Sequence, residues 1–163
     1  MLAASPTTLP LFLALSACKG PAVLSGPPPV SAQTQTLLHA VTAELNLIWI
    51  YNKTMAEYSG LQSTLAPLLA EHRAHLARLS ARVVEPPGKK APSTATARPP
   101  VAATSAGALT QLKDAEQAAV TAQLGRLAGA SPSLAQLYAS IATSEATHVT
   151  ALAGRISRTR TGS

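Results

Sequence analysis

Past residue 33 the chain carries four stretches of apolar residues at helical spacing, and ionisable residues break each stripe near its middle. The first stripe reads Leu37, Val41, Glu44, Ile48, Tyr51 and Met55. The second reads Leu61, Leu65, Leu68, His72, His75 and Leu79, with Glu71 on its shoulder. The third reads Leu109, Leu112, Glu116, Val120, Gln123 and Leu127; the fourth reads Leu134, Tyr138, Ile141, Glu145, His148 and Leu152. An ionised carboxylate in an apolar core costs several kcal/mol unless it is paired or bound to a cation. The chain is therefore restricted to folds that bring these groups into one layer, where they meet each other or a cation.

The stripes define four helical segments, about 34–57, 61–84, 109–127 and 131–157. Ser59-Gly60 separates the first two, and Gly129 closes the third. Ser131 is placed to cap the fourth, with Pro132 at its first helical position. Pro67 falls inside the second segment and is expected to kink it or delay its regular start. Between the second and third lies a Pro-, Ala- and Thr-rich stretch without periodicity, residues 85–105. Two hairpins joined by one long crossover is a known topology for four helices. The expected fold is all-α, an antiparallel four-helix bundle over 34–157 with a basic tail at 158–163. Composition agrees: aromatic residues are 3% of the chain, too few for a sandwich or barrel.

The two hairpins read as copies. Aligning Glu44 with Glu116 sets AELNLIWIYN over AEQAAVTAQL; Glu44 precedes His75 by 31 residues and Glu116 precedes His148 by 32. On a helix, residues i and i+3 lie about 60° apart, so Glu145 and His148 can reach one ion. Carboxylate and imidazole donors together suit iron, manganese or zinc. The candidate ligands are Glu44, Glu71, His72, His75, Glu116, Glu145 and His148. A second reading stays open, in which the same residues satisfy one another by hydrogen bonds and no metal is bound. Tyr51 and Tyr138 stand within a turn or two of these positions, close enough to hydrogen-bond a carboxylate. His39 reads as a surface residue or a supporting partner of Glu44.

The net charge of +6 comes from 13 Lys and Arg against seven acids. The basic residues Lys89, Lys90, Arg98, Arg155, Arg158 and Arg160 fall in the linker and tail. No basic helix face or aromatic platform accompanies them, so nucleic acid is excluded as a partner; weak attraction to anionic headgroups is expected instead. Phosphate loops, nucleophile elbows and Ser-His-Asp patterns are absent.

Leu9 to Ala17 is an uncharged apolar run about half as long as a membrane span, which reads as the core of a signal peptide over 1–17. The residues before it, MLAASPTT, lack the usual Lys or Arg. Leu15-Ser16-Ala17-Cys18 looks like a bacterial lipobox, which implies lipidation of Cys18, the chain's only cysteine. A Pro-, Gly- and Ser-rich tether over 18–33 would follow. The expectation is an exported protein anchored through Cys18 to the outer face of the bacterial cell membrane. The alternative is an ordinary secretory signal cut after Val30-Ser31-Ala32. The partners expected are the membrane and a second copy or another envelope protein.

The four-helix pattern and its ligands resemble the ferritin-like di-metal carboxylate fold of ferritins and rubrerythrins. That family takes one Glu from each of two helices and a Glu-x-x-His from each of the others. Glu44 and Glu116 match the lone glutamates, and Glu145-Ala-Thr-His148 matches one motif. The other motif departs, with His72 three residues before His75 and the acid at Glu71. With the lipobox and tether, the chain is similar to ferritin-like lipoproteins of high-GC Gram-positive bacteria. The resemblance covers residues 34–157 and implies a site that binds, or is the remnant of one that bound, metal ions, with no established activity. The family's oxidative chemistry needs two redox-active ions, whereas His72 in place of a bridging Glu favours one. The alternative function is a non-enzymatic structural or interaction module of the envelope with a metal-free Glu/His core.

Overall fold

The structure, a computed structural model, describes residues 31–84, 98 and 100–161, the side chains of 160 and 161 excepted. Cys18, the signal segment, most of the tether and most of the crossover lie outside the described residues. Within them the chain is all-helical, without strands, and forms four helices: α1 (Ala32–Glu57), α2 (Gln62–Ser80), α3 (Ser105–Gly125) and α4 (Pro132–Thr161).

Each start has a local cause. The Ser31 hydroxyl accepts from the Thr34 amide at 3.1 Å and caps α1, giving one otherwise unpaired donor a partner. Thr104 does the same for α3, accepting from the Gly107 amide at 3.0 Å. A side chain at Gly107 would place its Cβ 3.0 Å from that hydroxyl, so glycine leaves room for the cap. Pro132 opens α4 as expected, and the Ser131 carbonyl accepts from the Ala135 amide. Single 3₁₀ turns, Ser59–Leu61 and Leu127–Gly129, make the two short connections. The helix of α2 runs on through Pro67, which lies on its exposed side.

Packing pairs α1 with α2 and α3 with α4, and α1 and α3 also meet. The apolar core falls into two clusters. One gathers Leu37 and Ala40 of α1, Leu79 of α2, and Leu134, Leu137, Tyr138 and Ile141 of α4. The other gathers Ile50 and Tyr51 of α1, Leu61, Leu65 and Leu69, Leu109 and Leu112 of α3, and Leu152 and Ile156 of α4. Along every contributing helix, the ionisable residues fall between or beside these clusters. The bundle is thus apolar, polar, apolar along its length, and the polar layer is sealed from both ends.

The crossover rejoins the bundle before α3. Tyr58 donates to the Ala102 carbonyl at 2.7 Å, and Gln111 both accepts from the Ala102 amide and donates to the Pro100 carbonyl. This anchoring explains why α3 begins at Ser105, four residues before the first apolar position of its stripe. At the other end α4 continues past Ser157 to Thr161. No helix among the described residues is long and apolar enough to cross a membrane.

Candidate metal centre

Six of the seven predicted ligands are buried together: Glu44 on α1, His72 and His75 on α2, Glu116 on α3, and Glu145 and His148 on α4. Their ring centroids confirm the compactness. His72 lies 5.0 Å from His148 and 5.7 Å from His75, edge-on to both. The seventh, Glu71, has a half-exposed side chain at the edge of the layer, where it accepts from Ser144 Oγ at 2.6 Å.

His72 is the hub. Its Nδ1 lies 2.9 Å from Glu44 Oε2 and its Nε2 lies 2.7 Å from Glu116 Oε1. With a carboxylate on each nitrogen, the ring can donate twice only as imidazolium. Burial opposes that charge, but the bonds to Glu116 and Glu44 outweigh it and raise the His72 pKa to about 9.

On the Glu116 side the network is dense. Glu116 Oε1 accepts from Tyr51 Oη at 2.5 Å and from His72, and lies 3.3 Å from His148 Nδ1. His148 Nε2 in turn lies 3.1 Å from Glu71 Oε2. Burial works against the Glu116 carboxylate, yet His148, His72 and Tyr51 together hold its pKa down at about 2. Burial and the neighbouring carboxylate push the Tyr51 hydroxyl well above the usual phenol range. Only Glu116 Oε2 on this side lacks a partner.

On the Glu44 side the network is open. Glu44 Oε1, His75 Nδ1 and both oxygens of Glu145 are buried without a well-formed hydrogen bond, the nearest polar neighbours being His75 for Glu44 and Gln123 for Glu145. His75 Nδ1 stands 3.5 Å from Glu44 Oε1 with no hydrogen bond between them. Burial opposes the Glu44 charge, but His72 and His75 beside it hold its pKa below the usual range. Glu145 goes the other way: burial, then Glu44 and Glu116 nearby, push its pKa up to about 8. This shift favours the protonated form of Glu145 near neutral pH.

Ligand atoms converge accordingly. One atom each from Glu44, His72, His75 and Glu145 lie within 4.8 Å of one another, and so do those of His72, Glu116 and His148. Each group could hold a metal ion, and both require His72. The donor chemistry fits a hard-to-borderline cation, and the first group holds four buried N and O atoms without a hydrogen-bond partner.

His39 is exposed, which leaves it outside the layer. Two participants drew no assignment from the sequence. Gln123 is buried at the layer and accepts from Arg126 at 3.1 Å; its position on the α3 stripe was the available signal. Ser144 supports Glu71 but lies off the α4 stripe, so no periodicity marks it. No family model, curated protein or solved structure matches the chain.

Proposed function

We propose that this chain is an exported, membrane-anchored protein with an antiparallel, ferritin-like bundle that binds one divalent metal ion through Glu44, His72, His75 and Glu145. One observation carries the reading: three of these residues bury four ligand atoms without a partner, in a place where the fourth, His72, also offers a nitrogen. A buried polar atom left unpaired costs about 1–3 kcal/mol, so a self-satisfied core would not keep four of them at one point. Binding displaces the protons of His72 and Glu145, and the resulting two carboxylates and two neutral imidazoles balance a divalent charge. Iron, manganese and zinc suit this donor set.

The stoichiometry follows from His72. A neutral imidazole has one lone pair, so His72 serves one group and donates its remaining N–H to the carboxylate of the other. The Glu44 group has the more ligands and the more orphaned atoms. Glu116, already held by Tyr51 and facing His148, then positions His72. A two-ion oxidative centre of the ferritin kind does not follow from this arrangement, and the role proposed is binding.

The arrangement of the helices supports the ferritin-like part. The start of α1 clusters with the end of α2 and the start of α4, and its far end with the starts of α2 and α3. The two Glu-to-His spacings are those of two similar hairpins packed face to face. Anchoring rests on the apolar run ending at Cys18. Ser31 caps α1, so a signal cut after Ala32 would remove the cap, whereas a cut before Cys18 leaves the bundle whole.

Loading the untagged full chain with iron, manganese or zinc, followed by elemental analysis, tests the site: close to one ion per chain is expected. No ion under loading would leave the metal-free structural module as the reading. Cys18→Ser is expected to move the protein out of the detergent phase; unchanged partitioning would remove the anchor.

A further inference from the structure

A pocket of about 260 Å³ opens where the start of α1 meets the end of α3 and the start of α4, lined by Gln33, Thr36, Arg126, Ala130, Leu134 and Tyr138. Two of its residues are not accounted for by the metal layer. Arg126 is partly buried, and its one side-chain hydrogen bond goes to a neutral group, Gln123 Oε1; the Glu145 and Glu44 charges reach it from the layer, but no carboxylate among the described residues makes ion-pair contact with it. Tyr138 is 1% exposed, and its hydroxyl is buried with no partner. Both line this pocket; burial raises the Tyr138 pKa, so the phenol keeps its proton, and the Arg126 charge opposes that rise only in part.

A partly desolvated guanidinium without a contacting counter-ion and an unpaired buried hydroxyl each cost free energy alone. Facing one cavity, they form a donor pair for a single negatively charged acceptor. Planar N–H groups of arginine match the oxygens of a carboxylate or phosphate two at a time, and the phenol supplies a further donor. Leu134, Ala130 and Thr36 line the remaining space, so the pocket takes an anion with a small body. Its volume is several times the roughly 30 Å³ share of a water molecule, which admits inorganic phosphate or a short carboxylate. We infer that this pocket is a binding site for a small free oxyanion, held by Arg126 and Tyr138. The site does not require that a metal be bound in the layer below.

The test uses the full chain, ¹⁵N-labelled and freed of metal over a chelating resin, so that an anion cannot bind through an ion in the core. Inorganic phosphate is titrated at constant ionic strength, and separately acetate, while the Arg126 Nε–Hε resonance is followed. Saturable shifts are expected with both. Arg126→Gln, which lacks that resonance and is followed through the backbone amides of Ala130 and Leu134 instead, is expected to abolish saturation, and Tyr138→Phe to weaken binding roughly tenfold while the thermal unfolding curve shows an intact fold. If Arg126→Gln fails to fold, Tyr138→Phe alone decides. Phosphate that leaves Arg126 unmoved, or equal binding by Tyr138→Phe and wild type, would overturn the site. So would a response to phosphatidylglycerol vesicles and none to free phosphate, because the occupant would then be a lipid headgroup.

Discussion

The two sides of His72 differ more than their similar composition suggests. On one, Glu116 takes Tyr51 and His72 on a single oxygen with His148 close by, and Glu71 with Ser144 closes the far side of His148. On the other, Glu44, His75 and Glu145 face one another with four atoms unpaired. Both sides are built from buried Glu and His, so residue type does not distinguish them. Satisfaction does. A polar cluster whose members use up one another's hydrogen bonds positions and stabilises, whereas one that leaves donors and acceptors unused has room for a ligand.

The comparison breaks most sharply on metal affinity. His75→Ala removes a ligand from the open side and is expected to weaken binding at least a hundredfold, measured by competition with a chromogenic chelator. His148→Ala, on the satisfied side, is expected to cost no more than about tenfold, in the range of a supporting residue. Equal losses would erase the distinction between the sides.

Stability sharpens it from the other direction. Glu116→Ala leaves the His72 imidazolium with Glu44 alone and strands the Tyr51 hydroxyl in the core. Breaking a buried pair in this way costs about 3–5 kcal/mol, read from urea unfolding of the metal-free protein. Glu145→Gln is expected to leave metal-free stability unchanged or raise it, because the native side chain is a proton-holding acid between two carboxylates.

pH separates the same two groups. A group whose pKa rises on folding contributes stability that is complete below its ordinary value and lost as pH climbs through the folded one. For Glu145 that window runs from 4.5 to about 8, and for His72 from 6.5 to about 9. Glu116, lowered to about 2, contributes above 4.5 and loses its contribution as pH falls toward 2. The metal-free protein should therefore lose a few kcal/mol between pH 5 and pH 9, seen as a falling urea midpoint, and a bound ion should remove most of that loss. A flat midpoint across this range would mean that Glu145 is not held protonated.

The smallest effect expected is at the rim. Glu71→Gln touches a half-exposed carboxylate and should change stability by less than about 1 kcal/mol, checked in the same unfolding experiment.

How much of this was legible before the fold was known depends on the helix. In α4 all six stripe residues, Leu134 to Leu152, are buried as read, because bulky apolar residues there alternate with Ser, Thr and Gln. In α1 the stripe residues Leu37, Glu44 and Tyr51 are buried as read, but Ala40, Leu47 and Thr54 are buried where Val41, Ile48 and Met55 are only half-buried. That helix meets both α2 and α3, so its buried face is broad, and small residues such as Ala40 let neighbours close in. In α2, Leu69 replaces Leu68 in the core for the same one-residue reason. Glu44, His72 and Glu116 survived these shifts because they stand where either face would bury them. What periodicity could not supply was the pairing. That Glu71 reaches His148 rather than the His75 side, and that Glu145 is left without a partner, depends on the azimuth and height of four helices relative to one another.

The central claim is that one ion sits on the open side of His72. Anomalous diffraction from crystals of the metal-loaded full chain, recorded at the absorption edge of the ion, tests it directly. The account predicts a single peak within bonding distance of Glu44, His72, His75 and Glu145. A peak between Glu116 and His148, two peaks of equal height, or none would contradict it.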